Sequence, residues 1–345
     1  MEDFQNKVYC IDNLKFLCKL PSESVDLVYI DPPFFTQRDH KTIEGVGFED
    51  NWDNITHYIE WMKVRIREIR RILKKTGCLF LHCDVNASHR LRVMLDDVFG
   101  EKNFKNEIIW QRKHGSNAAG DSAKRLPNNH DTILFYQKTK QSTFNNCYLP
   151  YKKDYLKLFK HKDETNRGKF RKSEMSNVSD KEVRSCWKKE NMSSLSFARS
   201  AMFDYKGFSP PPRGWRYSRE RMEQLDNEDR LVFPKTKNGR IYEKSYLSEK
   251  KGRPLESIWT DISAVSRKNK EYRGYPTQKK EALLERIIKM GSNEGDIVAD
   301  FFCGSGTTLA VAKRLGRQYI GCDSNPDAVK ITKERLDEIL ERSSL

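Results

Sequence analysis

The amino-acid sequence predicts an α/β fold, a mostly parallel sheet flanked by helices and interrupted by a basic insert. Three observations predict it. A short apolar run, Val25-Asp26-Leu27-Val28-Tyr29-Ile30, ends in Asp31-Pro32-Pro33-Phe34. A second run, Asp296 to Phe302, opens into a turn with Gly304 and Gly306, then a helix, then a strand closing on Asp323. Between them, residues 151 to 255 carry 27 Lys and Arg against 15 Asp and Glu, an excess of 12 within a net charge of +15 for 345 residues. Short apolar runs bounded by turn residues read as buried strands. Strands that alternate with helical stretches build parallel sheets.

The elements follow in order. Lys7 to Ile11 is a short strand, and Asp12-Asn13 leads into a helical stretch with Leu14, Leu17 and Leu20. Asp12 fits a helix cap. After the strand Val25 to Ile30, the stretch Thr36 to Asn54 is too polar for core; it either covers a substrate or is an ordinary surface loop. Ile59, Met62, Ile66, Ile69 and Leu73 recur at helical spacing, with Gly77 as the stop. Arg65, Arg67, Arg70 and Arg71 on that helix read as a solvated face rather than a nucleic-acid site. Cys78 to His82 is a buried strand. Ile108 to Trp110 and Thr132 to Tyr136 complete the sheet as an antiparallel pair, joined through a basic Gly-rich loop, Gln111 to Gly120, suited to gripping phosphate. Pro210 to Tyr217 interleaves Arg with Trp and Tyr; it either contacts nucleic acid or is a rigid turn packed on the sheet. At the far end, Glu281 to Met290 and Thr307 to Leu315 are helices, the latter closed by Gly316, and Gln318 to Cys322 is a strand.

Two of these segments carry chemistry. A carboxylate (Asp31) and an open backbone carbonyl (Pro32), held by two prolines and followed by Phe34, can accept both hydrogens of an aromatic amino group and stack its ring. Such a nitrogen is a poor nucleophile until its lone pair is drawn out of conjugation. Taken alone, the same four residues are equally a Pro-rich turn. The second segment decides between them. Gly304 and Gly306 allow a sharp turn and close backbone approach, and Asp323 falls where nucleotide-binding α/β folds hold ribose hydroxyls, about 20 residues on. The turn lacks the third glycine of a dinucleotide fingerprint and the lysine of a P-loop. This argues against NAD and ATP and suits S-adenosylmethionine, which has no phosphate.

On these residues the chain resembles the amino-methylating DNA methyltransferases of the permuted β group, over roughly residues 7 to 140 and 256 to 335. Asp31-Pro32-Pro33-Phe34 matches the catalytic tetrad, and Asp300 to Thr308 matches the cofactor loop. Tyr275-Pro276-Thr277-Gln278-Lys279 resembles the element that closes over the cofactor's methionine end, with Lys280 in place of its last proline and Tyr275 where His is common. The order also fits: tetrad first, cofactor half last. The resemblance implies a seven-stranded, mostly parallel Rossmann-like methyltransferase sheet (residues 1 to 140 and 256 to 345) with a target-recognition insert (141 to 255). It implies Asp31, Pro32, Pro33 and Phe34 as catalytic residues. Asp300, Phe302, Gly304, Gly306, Asp323, Thr277, Gln278 and Lys279 would bind S-adenosylmethionine, and Asp12 would reach its adenine. It implies duplex DNA as partner, flipped adenine as target, no metal, and leaves open a cognate restriction endonuclease and a homodimer. The adenine preference follows from Asp at position 31, where the cytosine enzymes of the group more often have Ser. N4-cytosine methylation, RNA methylation and non-catalytic DNA binding on the same fold are the alternatives.

Composition agrees. The charge excess suits a polyanion, though a merely soluble basic surface gives the same number. Eight cysteines occur with no C-x-x-C pair, so neither a zinc site nor a disulfide framework is expected. With no signal peptide and no long apolar run, a cytoplasmic, nucleoid-associated protein with reduced thiols is expected, and no membrane. The chain has no helicase motif, and its length argues against likeness to the large modification subunits of ATP-dependent restriction systems.

Overall fold

The computed structural model describes residues 1–41, 47–113, 126–162 and 186–343. The chain divides into two compact units, Met1–Cys147 with Glu256–Leu345, and Tyr148–Leu255. Among the described residues, the first unit contains strands β1 (Lys7–Cys10), β2 (Val25–Ile30), β3 (Arg38–Lys41), β4 (Gly47–Asp50), β5 (Leu73–Cys83), β6 (Phe104–Gln111), β7 (His130–Gln137), β8 (Ile258–Trp259), β9 (Ile297–Asp300) and β10 (Gln318–Asp323). Its principal helices are α1 (Asn13–Leu17), α2 (Ile55–Ile72), α3 (Ser88–Phe99), α4 (Glu281–Gly291), α5 (Thr307–Arg314) and α6 (Pro326–Ser343).

The main sheet has the order β1-β10-β9-β2-β5-β7-β6-β8, so it carries eight strands, one more than the seven expected. The addition is β8, two residues paired parallel to the edge of β6. Only β7 runs against the rest. β2 is buried along its whole length, as a central parallel strand covered on both faces must be. Its one acid, Asp26, is neutralised by Lys74 Nζ at 2.8 Å and accepts from Ile297 N at 2.9 Å.

Helix α2 starts at Asn54, whose side chain accepts from His57 N, and buries Tyr58, Met62, Arg65, Ile66, Ile69 and Ile72. Two expectations change here. The helix stops at Ile72, not Gly77, because Leu73 already takes extended backbone and pairs with Val25 at the start of β5. Gly77 lies within β5, where a Cβ would press on Leu73 and the Lys74 carbonyl at 3.0 Å. Nor is Arg65 solvated: it is buried, donating to Asn13 Oδ1 at 2.6 Å and pairing with Asp12 at 3.2 Å.

The second unit contains a four-stranded sheet around Cys186–Asn191 and Tyr242–Tyr246, with helix Arg219–Asn227. Trp215 is buried there with Met192, Tyr205, Met222, Leu225, Leu231 and Ile241. Its indole donates to Phe203 O at 2.7 Å. Of the two readings of Pro210 to Tyr217, the packed turn therefore holds for Trp215, while Arg213 and Arg216 remain exposed. All eight cysteines are free thiols. No described helix is long and apolar enough to cross a membrane.

Candidate active site

Four neighbouring parallel strands, β1, β10, β9 and β2, end together, and an aspartate stands at or just beyond each end: Asp12, Asp323, Asp300 and Asp31. Ligands of open α/β sheets bind outside these carboxyl ends. A cavity of about 580 Å³ lies there, lined by all four aspartates. Phe302, Trp61, Gly304, Thr277, Gln278 and Lys279 also form its wall.

The cofactor-side carboxylates are held by backbone. Asp323 accepts from Gly304 N and Asn325 N, both at 2.9 Å. Burial nevertheless raises its pKa. Asp300 is fully buried; it accepts from Thr308 Oγ1 and from Phe302 N at 3.0 Å. Burial is the main reason its pKa is pushed up to about 7, with Asp31 and Asp323 adding in the same sense against those two hydrogen bonds. Gly304 has φ +49°, and a Cβ there would stand 3.1 Å from the buried Tyr275 ring. Gln278 pins its own loop, accepting from Arg273 N at 2.9 Å and donating to Glu271 O at 2.6 Å.

Asp31 is split between two environments. Its Oδ2 pairs with Lys279 Nζ at 2.6 Å. Its Oδ1 is buried with no hydrogen-bond partner among the described residues. The turn after it is fixed by Asp50, which is buried and accepts from Phe34 N, Phe35 N, Thr36 N, Thr36 Oγ1 and Trp52 Nε1 at 2.7–3.1 Å. Tyr58 OH donates to the Pro33 carbonyl at 2.7 Å. Phe34 stacks on His82 with ring centroids 5.6 Å apart. His82, fully buried, meets Tyr29 OH at Nδ1 (2.8 Å) and Asp131 at Nε2 (3.1 Å), and Asp131 pairs with Arg112 at 2.7 Å. Burial pushes the Asp131 carboxyl up, but His82, Lys279 and Arg112 together hold it below its ordinary value. Burial raises the Tyr29 hydroxyl well above its own. An ionised Asp131 accepting from Nε2 and a Tyr29 hydroxyl donating to Nδ1 satisfy both ring nitrogens.

The structure thus brings Asp12, Asp31, Pro33, Thr277, Gln278, Lys279, Asp300, Phe302, Gly304 and Asp323 to one cavity. Pro32, Phe34 and Gly306 are not among its described lining residues. Gly306 faces the other way: a Cβ there would meet Thr332 at 2.5 Å, and its φ of +70° serves the start of α5. Asp12 caps α1 through Lys15 N at 3.0 Å and pairs with Arg65, so its carboxylate is already engaged. Lys279 sits on Asp31 rather than apart from the tetrad. Asp50, His82 and Asp131 escaped the sequence reading; the one signal for Asp50 was an acid in the stretch Thr36 to Asn54. The part of the basic loop at 114–120 lies outside the described residues.

The site is a row of strand-end carboxylates, one of them with an oxygen that no described residue hydrogen-bonds, beside a braced aromatic turn. The DNA methylase family profile matches residues 25–334. The chain belongs to the DNA methylase family. It is 30% identical over 312 residues to the Type II methyltransferase M.EcaI of Enterobacter cloacae, covering 90% of this chain and 64% of that one. With the StyLTI Mod subunit of a type III restriction-modification enzyme of Salmonella typhimurium it shares 25% over 386 residues, 95% of this chain and 54% of that one. With the DNA adenine methyltransferase YhdJ of Escherichia coli K12 it shares 27% over 330 residues, 94% and 81% of the two. The chain therefore spans under two thirds of the length of the first two relatives. The Mod subunit match overturns the argument from length: this DNA methylase is similar to about half of such a subunit.

Proposed function

We propose that this DNA methylase transfers a methyl group from S-adenosylmethionine to the N6 amino group of adenine at specific sites in duplex DNA. The observation that carries the reading is Asp31: a strand-end carboxylate whose Oδ1 is buried with no hydrogen-bond partner among the described residues, 4.0 Å from His82 Nδ1, in one cavity with Asp300 and Asp323. The cavity fits the cofactor on its own chemistry. Asp323 would hold ribose hydroxyls. Trp61 and Phe302, whose rings lie 5.8 Å apart, offer an apolar wall for a flat base. Gly304 and Thr277 would face the methionine end, with no phosphate cradle needed. When bound, S-adenosylmethionine supplies an electrophilic methyl group on a sulfonium centre.

Asp31 Oδ1 and the Pro32 carbonyl would accept the two amino hydrogens, which draws the nitrogen lone pair out of the ring and makes it nucleophilic. Lys279 holds Oδ2 and so keeps the carboxylate turned. Phe34, backed by His82, would stack on a base flipped from the duplex. Orientation supplies most of the rate. The unit Tyr148–Leu255, with most of the basic excess, would read the site. Adenine is favoured by Asp31 itself and by the likeness to a named adenine methyltransferase. A solitary enzyme and one half of a pair with a cognate endonuclease both fit, as does a homodimer.

The test is incubation of the purified protein with labelled cofactor and unmethylated plasmid, followed by nucleoside mass spectrometry. N6-methyladenine is expected. N4-methylcytosine would overturn the base assignment, and label in structured RNA but not in DNA would overturn the substrate.

A further inference from the structure

The second unit presents an unusual surface. Leu195 is 86% exposed, Phe197 66% and Met202 40%. These three large apolar side chains fall within eight consecutive residues, whereas the other exposed large apolar residues of the described chain are scattered. They do not belong to the core beneath them, which is formed by Met192, Tyr205, Trp215 and their neighbours. Clustered apolar exposure of this kind marks a contact surface.

The segment is braced. Ser194 N donates to Gly214 O, Arg216 N to Met192 O and Trp215 N to Ala201 O, at 2.7–3.0 Å. Gly214 takes φ +86°, and a Cβ there would meet Ala201 at 2.9 Å, so the segment and the Pro210–Arg216 turn interlock without space between them. Arg213 donates to Leu195 O at 3.1 Å. Arg199, Arg213 and Arg216 are exposed, and residues 191–217 contain a single acid, the exposed Asp204. Apolar side chains carried beside three exposed arginines, against the single carboxylate of Asp204, leave the stretch net positive and complement a polyanion with flat apolar faces.

We propose that residues 193–201, braced by the Pro210–Arg216 turn, contact duplex DNA, with Leu195 and Phe197 pressing against or between base pairs while Arg199, Arg213 and Arg216 hold phosphates. The inference rests on the reading of this chain as a DNA methylase acting on duplex DNA, and it adds the contacting element.

The test uses the full chain. Long-read sequencing of plasmid modified by the purified protein gives the site. A labelled duplex of about 30 base pairs containing that site, with 2-aminopurine beside the target base, is then titrated at several salt concentrations. The pair Leu195→Ala with Phe197→Ala is expected to weaken binding at least tenfold and to reduce the 2-aminopurine signal, leaving the salt slope unchanged because no phosphate contact is lost. The pair Arg199→Gln with Arg216→Gln is expected to lower the slope by about 0.9 per lost contact. Both positions of the apolar pair are exposed, and unchanged thermal unfolding checks that the variants fold. Binding within twofold of wild type, with the same fluorescence, would overturn the inference. So would a shift of the free protein from dimer to monomer in sedimentation with DNA affinity intact, since a second copy would then cover the patch. Methylation by a wild type whose apolar variant binds equally well sinks this inference alone. Failure of the wild type to bind duplex DNA sinks the functional reading with it.

Discussion

Removing the Asp31 carboxylate should act on stability and on chemistry by separable routes. Asp31→Ala strips Lys279 Nζ of its partner at 2.6 Å and leaves it the Thr277 carbonyl at 3.3 Å. The two side chains are 17% and 10% exposed. That places the pair between exposed ion pairs, worth under about 1 kcal/mol, and fully buried ones, whose truncation costs about 3–5 kcal/mol. A loss of about 2–3 kcal/mol is expected. Adding Lys279→Met should restore most of it, because no stranded ammonium remains. Asp31→Asn keeps an oxygen for Nζ and should cost less than about 1 kcal/mol. Its methyl transfer should nevertheless fall a hundredfold or more, since a charged acceptor aimed at a reacting group is worth about 3–4 kcal/mol. Urea unfolding of the four proteins and single-turnover methylation of plasmid read the two quantities. Equal stability of Asp31→Ala and the double variant, within about 0.5 kcal/mol, would refute the coupling. An Asp31→Asn enzyme keeping more than a tenth of the wild-type rate would refute the acceptor role.

Other outcomes follow from the same geometry. Asp300, with its pKa pushed up to about 7 from an ordinary value of 3.8, binds its proton more tightly folded than unfolded. Its contribution is therefore fully present below about pH 4 and lost as pH rises through 7, by about 4 kcal/mol at most; Asp300→Asn should gain on wild type across that window in denaturant titrations, and parallel curves would exclude it. Asp50→Ala leaves three backbone donors of the tetrad turn unpaired at once, at about 1–3 kcal/mol for each that water cannot reach; stability and turnover should both fall while the cofactor Kd stays within a fewfold. Asp323→Ala should weaken S-adenosylmethionine by about 1.5–3 kcal/mol in calorimetry, an unchanged Kd placing the ribose elsewhere. Gly306→Val should destabilise the fold by more than about 2 kcal/mol through positive φ and the clash with Thr332, so reduced cofactor binding without reduced stability would contradict the packing.

What could be read from the sequence was local. The strand Val25 to Ile30 with its tetrad, and the run to Asp300 with its glycines, carry their signals within about ten residues, where pattern and turn chemistry suffice. Asp50, His82 and Asp131 act across 16, 48 and 97 residues from Phe34 by sequence number, and no periodicity marks them. Lys279 is read with its motif, and adjacency in a motif does not give direction: Thr277 takes φ +60° in that loop, and Lys279, on the cavity wall, also reaches back to Asp31 at the end of β2. Arg65 is the opposite case. Its position sits on the buried stripe Tyr58, Met62, Arg65, Ile66, Ile69 and Ile72, so spacing placed it inside and its charge alone suggested solvent. For Trp215 the sequence admits two readings, because an aromatic in a basic stretch of irregular backbone carries no period to reveal a core; the packed turn is the one that holds for it.

The register of the sheet explains how two segments over 250 residues apart make one site. β9 pairs with β2 as Val298 with Leu27 and Ala299 with Val28, and with β10 as Ala299 with Ile320 and Asp300 with Gly321. Continuing both registers puts Asp31 and Asp323 on one level, two residues or about 7 Å beyond Asp300, on either side of β9 and about 10 Å apart. Any molecule that engages both must lie across the end of β9, over Asp300 and Phe302. This spacing depends on strand pairing and not on chain order, which is why the cofactor half can come last. It also sets a strict requirement: one residue inserted in β9 would slip the row by about 3.3 Å and turn Asp300 to the opposite face of the sheet. Such an insertion should abolish cofactor binding even where the fold survives, whereas an insertion in a surface loop outside the site should leave it intact.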